Sequence, residues 1–534
     1  MTEPTDPTEP TEPEHPTAAR RPELWAPRIS VAAALLLALA YAFAGAGVGE
    51  FCLDDAWIHL AYAKSLRLGE GLSYNPGDWE TGFSSPLWVL LLAAWPTEPE
   101  PVVAVKLLGA LLHAATAGLA SAIALDLVSA RASVARPLPA MSVALLAGIL
   151  CATSPALLQG ASSGMEIPLT TALLLACVRA SLREQWLLAG VLGFAVQLAR
   201  PEALACLLGF AVVLGLARRK LWALVPVLGA ALGLGAWMLY CLLVSGWPWP
   251  NTAYVKSSVG QAAGLGPGLE YLISQVLIWE PWVAGVGGLG LLLAALWTDL
   301  SGRGVLEPGS VVKGERRFEL LALLAGYLAG LLGVALTRPL DPGILFYQAR
   351  YFAIFAALPP IVIALGIART HRVLSLVLVL PVALLTGLAI PSTARIQRAQ
   401  ERGVALLHGD PARYVARELP REAVIAVEGA GSLRYRTPRS MTIVDIIGLN
   451  DAAIAHAPDD NARACVLIER SPGYLVLPDH IAAALSKVFE VKVLAEFVDS
   501  QWAQIEQPRE VRVLLLEVVG VRPRWAERCG GTDQ

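Results

Sequence analysis

Two adjacent carboxylates, Asp54 and Asp55, follow the first long apolar run of the chain, 29–48, almost at once. Charge placed that close to a bilayer-length apolar segment is costly unless it is solvated or used. One carboxylate acting as a general base can take the proton of an attacking hydroxyl. Two side by side raise each other's pKa, which brings one of them toward neutral pH. The plainer reading is a helix start, since Asp ahead of the stretch 56–68 is a good N-cap. The two readings are compatible, one aspartate as base and the other as cap, in either order. The polar island continues through YNPG (74–77) and ETGFSSPLW (80–88), which adds Glu80.

Cations recur farther along. Arg200, in LARPEAL, is the best phosphate ligand, because guanidinium matches phosphate oxygens in pairs and stays charged when partly buried. Pairing with Glu202, or snorkelling, would also account for it. Lys256, after PNTAY, and Arg350, in QARYF, are candidates for the same phosphate, against a reading as ordinary membrane-surface cations. Arg338 is a weaker member of the set. Glu166, in SSGMEIPL, stands at the start of an apolar run, where an acid normally faces a cavity or a partner. It suits contacts to sugar hydroxyls or an accessory metal, or it is a solvated loop charge. Glu80, Glu202, Asn251 and Tyr254 complete the candidates, as sugar or acceptor contacts or an accessory acid. Lys106 and His113 read as a snorkelling lysine and a neutral, hydrogen-bonded histidine and stay outside the candidate site.

A base, a second acid and several cations under an apolar roof suit one reaction: a neutral hydroxyl displaces a phosphate from a lipid-borne substrate. The cations stabilise the departing phosphate and the carboxylate activates the nucleophile. No cofactor is implied with certainty. A divalent cation on two or three of the carboxylates fits oxygen ligation, although no spacing demands one.

The elements that must position these groups are membrane helices. The chain has 534 residues, is 55% hydrophobic and has a mean hydropathy of +0.57. Charged residues make up 16%, against about 25% in ordinary soluble proteins. A net charge of −3 gives no footprint for nucleic acid. Apolar runs recur at 101–129, 139–157, 167–182, 185–199, 203–217, 221–245, 281–298, 318–337, 351–368 and 373–391. Residues 85–96 are too short to cross and read as a half-embedded helix, which leaves about eleven spans. Basic gaps (Arg131 and Arg136; Arg179 and Arg183; Arg218, Arg219 and Lys220; Arg303 to Arg317; Arg369 and Arg372) read as cytoplasmic loops. Alternation then puts every motif on the outer face.

Residues 1–28, rich in Thr, Glu and Pro, read as a disordered cytoplasmic tail ahead of an uncleaved signal anchor. Residues 29–391 form the transmembrane domain, with a first outer loop at 49–100. From 392 to 534 charges are spread throughout, and short runs (423–427, 442–444, 474–477, 511–518) alternate with helix-like stretches such as 479–489. This predicts an extracytoplasmic soluble α/β domain. Of seven cysteines, Cys151, Cys177, Cys206 and Cys241 lie in apolar runs and read as packing residues. Cys465 and Cys529 would be free to pair in an oxidising compartment. The fold class expected is an all-α polytopic membrane domain followed by a C-terminal soluble α/β domain.

Taken in order, DDAWI, YNPG, ETGFSSPLW, SGMEIPL, ARPEAL, WPNTAYVK, QARYF and VDIIGLND resemble the terminal β-arabinofuranosyltransferase type of actinobacterial cell-envelope enzymes. These belong to the GT-C class of membrane glycosyltransferases. The resemblance runs from about Phe51 to Asp451. It implies a polyprenyl-phosphate-linked sugar donor, an acceptor (glycan, lipid or protein) outside the plasma membrane, and inversion by a single displacement. By motif match it also implies Asp54 as the base with Asp55 beside it, and Arg200 and Lys256 on the donor phosphate. VDIIGLND puts Asp445 and Asn450 in the soluble domain, either facing acceptor glycan or bracing that domain. GFSS departs from the EGYTN-like segment of the arabinofuranosyltransferases, so arabinose itself does not follow. The competing classes are a transporter or flippase of lipid-linked glycans, which should show midplane charges and internal repeats, and an envelope scaffold that leaves the Asp-Asp island without a role.

Overall fold

The computed structural model describes residues 25–43, 49–129, 139–256, 318–337, 350–367, 372–502 and 509–530. The N-terminal tail, Arg338 and the apolar run 281–298 lie outside the described residues.

The apolar runs fold as helices because, in lipid, a helix satisfies every backbone polar group within its own segment. They are α1 (Trp25–Phe43), α4 (Pro101–Ser129), α5 (Ala140–Ala152), α6 (Pro155–Ser162), α7 (Ile167–Leu182), α8 (Trp186–Ala199), α9 (Ala203–Arg218), α10 (Val225–Ser245), α12 (Glu319–Thr337), α14 (Leu358–Ile367) and α15 (Arg372–Val404). Between α1 and α4 lie α2 (Asp55–Arg67), the hairpin β1 (Ser73–Asn75) and β2 (Asp78–Trp79), and α3 (Pro86–Ala94). Two short helices, α11 (Asn251–Lys256) and α13 (Arg350–Ala353), carry the candidate cations Lys256 and Arg350.

Several of these helices are long and apolar enough to cross a membrane, and the chain is a polytopic membrane protein. The described residues do not confirm the expected count of about eleven. Among the described residues four helices meet the length, or five if α5 and α6, bent by 54°, form one broken span. The helices α7, α8, α9 and α14 run only 10–17 residues.

Charge is segregated along the bundle. Asp126 pairs with Arg179 and Arg183, and Glu184 with Arg218 and Lys220. Glu184 precedes α8 and Arg200 follows it, so this cluster and the candidate site lie at opposite ends of that helix. Lys106 does not snorkel. It is fully buried and 2.8 Å from Glu401 of α15, which also accepts from Gln397. His113 bonds through Nε2 to the Ala152 carbonyl at 3.1 Å, as a buried neutral ring should.

The α15 helix runs without a break from apolar residues into the polar sequence STARIQRAQERGV. It passes through a π-turn, Ala405–Gly409, into α16 (Asp410–Glu418). The last apolar helix is thus joined rigidly to the C-terminal domain. That domain contains β3 (Val424–Val427), α17 (Ala430–Arg436), β4 (Thr442–Asp445), α18 (Ala452–Ala455), α19 (Asp460–Glu469), β5 (Tyr474–Pro478), α20 (Asp479–Leu485), β6 (Phe489–Trp502), β7 (Arg509–Val521) and α21 (Pro523–Gly530). The sheet order is β4-β3-β5-β7-β6. The pairs β3–β4 and β3–β5 are parallel, and β7 runs antiparallel to β5 and β6. Ala426, Val444, Leu475, Leu477, Phe489 and Leu516 form its core. Cys465 and Cys529 are joined in a disulfide that ties α19 to α21.

Candidate active site

The two aspartates, adjacent in sequence, have different partners. Asp54 turns to the C-terminal domain. Its Oδ2 accepts from the Gly431 amide at 2.7 Å and its Oδ1 from the Ser432 amide at 2.8 Å. These are among the first amides of α17, which an anion stabilises. Gly431 has to be glycine, since a Cβ there would lie 2.1 Å from the Asp54 carbonyl oxygen. Asp54 makes no side-chain cap bond to α2, the helix it precedes, so the expected N-cap of that helix is instead a cap supplied across the domain boundary.

Asp55 turns the other way, into a cavity that opens to solvent. Its Oδ2 is 2.7 Å from Lys256 Nζ and 2.8 Å from Arg350 Nη2. Burial alone would raise this carboxyl, but Lys256 and then Arg350 outweigh it and hold Asp55 well below the usual carboxylate range. The expectation that neighbouring carboxylates lift each other's pKa is therefore corrected. The two groups point apart, and cations dominate at Asp55.

Arg200 and Glu166 line the same cavity. Arg200 Nε lies 2.5 Å from Glu166 Oε1, and its Nη1 donates to Glu202 Oε1 at 3.2 Å. Two carboxylates thus hold the residue read as the best phosphate ligand, and the pairing with Glu202 weighed from sequence is present. The guanidinium carbons of Arg200 and Arg350 each lie 5.2 Å from the ring centroid of Tyr351, so one ring spaces two cations.

Glu80, Asn251 and Tyr254 support the site from outside the cavity lining. Glu80 Oε2 accepts from Asn251 Nδ2 at 2.9 Å, and Oε1 accepts from the Ala452 amide at 3.1 Å. The Asn251 amide donates to Thr81 Oγ1 at 3.2 Å. Glu80 thereby staples the segment between α1 and α4 to α11, which ends in Lys256, and to α18 of the C-terminal domain. Burial pushes its pKa up to about 7. Tyr254 packs edge-on against His456, with ring centroids 4.4 Å apart.

VDIIGLND braces the domain rather than facing outward. Asp445 is fully buried, accepts from the amides of Ile447, Gly448 and Asn450 and from Asn450 Nδ2, and is pushed by burial up to about 6. Asn450 Oδ1 accepts from Tyr62 of α2 at 3.0 Å. His59 and Tyr351 are among the lining residues not singled out from the sequence. His59 lies one helical turn after Asp55, an i, i+4 spacing that could have revealed it. Tyr351 carried no signal beyond its place beside Arg350. Among the described residues no group of three His, Cys, Asp or Glu side chains is placed to hold a metal ion.

Comparison with known proteins agrees with this architecture. Residues 394–524 match the model of a domain of unknown function, DUF8728. No curated protein sequence matches the chain. Among solved structures, ArnT from Cupriavidus metallidurans bound to undecaprenyl phosphate superposes with a TM-score of 0.57 at 14% identity, covering 91% of this chain and 97% of that one. The same protein in the apo state gives a TM-score of 0.54 at 14% identity, with the same coverage of both chains. The archaeal oligosaccharyltransferase AglB from Archaeoglobus fulgidus, in complex with an inhibitory peptide and a dolichol-phosphate, gives 0.50 at 13% identity over 88% of this chain and 71% of that one. At such identities the likeness is one of fold.

Proposed function

We propose that this protein is a GT-C glycosyltransferase of the plasma membrane. It transfers a sugar from a polyprenyl-phosphate donor to an extracytoplasmic acceptor by an inverting single displacement. The observation that carries the proposal is one carboxylate oxygen, Asp55 Oδ2, held by two cations, Lys256 and Arg350, within one cavity. The shared fold with ArnT and AglB supports the reaction class. The basic cluster of Arg179, Arg183 and Arg218 at the far end of the bundle supports an outward-facing site.

Asp55, rather than Asp54, is the general base in this reading, because Asp54 is committed to the amides of α17. The acceptor oxygen attacks the anomeric carbon and its proton passes to Asp55 Oδ2. The bond from that carbon to the phosphate oxygen breaks, and the electron pair leaves with the polyprenyl phosphate, whose charge Lys256 and Arg350 stabilise. A donor phosphate competes with Asp55 for those cations. As they shift toward phosphate the carboxylate becomes more basic, so donor binding activates the base.

The test is turnover by the purified full-length protein of a panel of polyprenyl-phosphate sugars. The panel includes a pentofuranosyl lipid, because the motif order resembles arabinofuranosyltransferases. The expected result is consumption of one donor class by the wild type and its loss in Asp55→Asn. If every donor stays intact while lipid-linked glycan crosses vesicles, the protein is a transporter instead.

A further inference from the structure

The cavity has a second polar wall that the phosphate chemistry does not use. His59 is 4% exposed and lines the cavity with Asp55. Its Nε2 lies 3.9 Å from Glu166 Oε2, and Glu166 is fully buried. Among the described residues, neither ring nitrogen of His59 and neither carboxylate oxygen of Glu166 has a hydrogen-bond partner. The contact of Glu166 with Arg200 is an ion pair without hydrogen-bond alignment. Buried polar atoms are normally hydrogen-bonded, and each exception carries a desolvation cost that needs a reason.

The segment presenting Glu166 is held firmly. Gly164 sits at φ +80°, and its carbonyl accepts from Trp88 Nε1 at 3.2 Å. The Met165 amide donates to Ser163 Oγ at 3.1 Å. A Cβ on Gly164 would come within 2.6 Å of Phe51 and 2.8 Å of Ala56. A histidine without a hydrogen-bond partner beside a carboxylate held only by the Arg200 ion pair, both on a rigid frame, is organised for a ligand that brings its own hydroxyls.

We propose that His59 and Glu166 form the binding site for the ring hydroxyls of the donor sugar, and that this sugar is a neutral or amino sugar and not a uronic acid. The inference rests on the polyprenyl-phosphate reading above and adds the class of sugar. Glu166, ion-paired with Arg200, only accepts, so it takes two O–H donors and meets a sugar carboxylate as like charge. Burial holds the His59 ring below its ordinary pKa, so at neutral pH one nitrogen donates and the other accepts. Arg200, clasped by Glu166 and Glu202, positions Glu166, while Lys256 and Arg350 remain for the phosphate.

The test measures binding to full-length protein in nanodiscs of bare undecaprenyl phosphate and of its glucosyl, mannosyl, arabinofuranosyl and glucuronosyl derivatives. The wild type should bind its best neutral glycosyl lipid about tenfold more tightly than the bare lipid, and the glucuronosyl lipid no better than the bare one. Glu166→Gln and His59→Phe should lose that increment and bind the bare lipid as wild type does. Glu166→Gln should also cease to discriminate against the glucuronosyl lipid. His59→Gln, which keeps a donor and an acceptor, should restore part of the increment and guards against a merely unfolded His59→Phe. A wild type that gains nothing from the sugar overturns this inference alone, as do variants that lose bare-lipid and glycosyl-lipid binding in equal measure. A wild type that binds none of the lipids overturns both this inference and the reading beneath it.

Discussion

Replacing Asp54 by Asn separates the two aspartates by experiment. The Asp54 carboxylate takes the Gly431 and Ser432 amides at 2.7 and 2.8 Å. In Asp54→Asn one oxygen still accepts, but the amide nitrogen faces an N–H donor, so one charge-assisted bond is lost and one buried amide goes unsatisfied. A hydrogen bond to a charged group contributes about 1.5–3 kcal/mol, and loss of a helix cap costs about 0.5–2 kcal/mol. The two overlap, which gives roughly 2–3 kcal/mol for anchoring α17 to α2. Since about 1.4 kcal/mol is tenfold, hydrogen exchange of the amides at 431–432 should speed up roughly 30- to 150-fold. Peptide-resolved hydrogen exchange on full-length protein in detergent reads this directly. Turnover per folded molecule should fall less than about tenfold in Asp54→Asn, whereas Asp55→Asn should lose on the order of 10²–10⁴-fold, the scale of a general base. Unchanged exchange at 431–432 together with abolished turnover in Asp54→Asn would refute the assignment and return the base to Asp54.

Three further outcomes follow from buried groups away from the chemistry. Glu80 has a folded pKa of about 7 against an ordinary value of 4.5, so its contribution to stability is full below 4.5 and is lost as pH rises through about 7. Chemical-denaturation or melting curves from pH 4 to 8 should show Glu80→Gln gaining on the wild type across that window, by about 3 kcal/mol at most; parallel curves would remove Glu80 as the source. Lys106→Met strands Glu401 in the bundle and should cost about 3–5 kcal/mol, with most of it recovered in Lys106→Met/Glu401→Gln, as thermal melts would report. Breaking the Cys465–Cys529 bond, which spans 64 residues of sequence, removes about 4 kcal/mol of chain-entropy stabilisation. The double Cys→Ala variant should melt earlier while its folded fraction keeps wild-type turnover.

The helices of the bundle could be read in the chain because an apolar run of bilayer length has one stable backbone solution in lipid. The runs at 101–129, 167–182 and 221–245 appear as α4, α7 and α10, the last with a 3-10 turn (Leu221–Leu224) ahead of it. The apolar segment 85–96, too short to cross a bilayer, contains the short helix α3. Four short apolar runs bounded by polar or turn residues form β3, β4, β5 and β7 for a similarly local reason. Strand β6 begins at Phe489, where the helix-like stretch 479–489 is expected to end; the helix stops at Leu485, and EVKV alternates as a half-exposed strand should. The carboxylates and cations that line the cavity, Asp55, Glu166, Arg200, Lys256 and Arg350, were also open to reading as candidates, since chemistry restricts which side chains can serve.

What each of those side chains does was decided only in three dimensions. Asp54 and Asp55 are neighbours at the start of one helix, where successive side chains leave the axis about 100° apart. Which of them enters the cavity depends on α17, 377 residues away, and on Lys256 and Arg350, 201 and 295 residues away. Arg200 has a cation's sequence signature, yet Glu166 and Glu202 determine whether it meets a phosphate or holds a carboxylate. Local sequence determines secondary structure through backbone and solvation terms that act within a few residues. Ionisation and orientation depend on charges brought together across hundreds of residues, and only the packed tertiary structure supplies them.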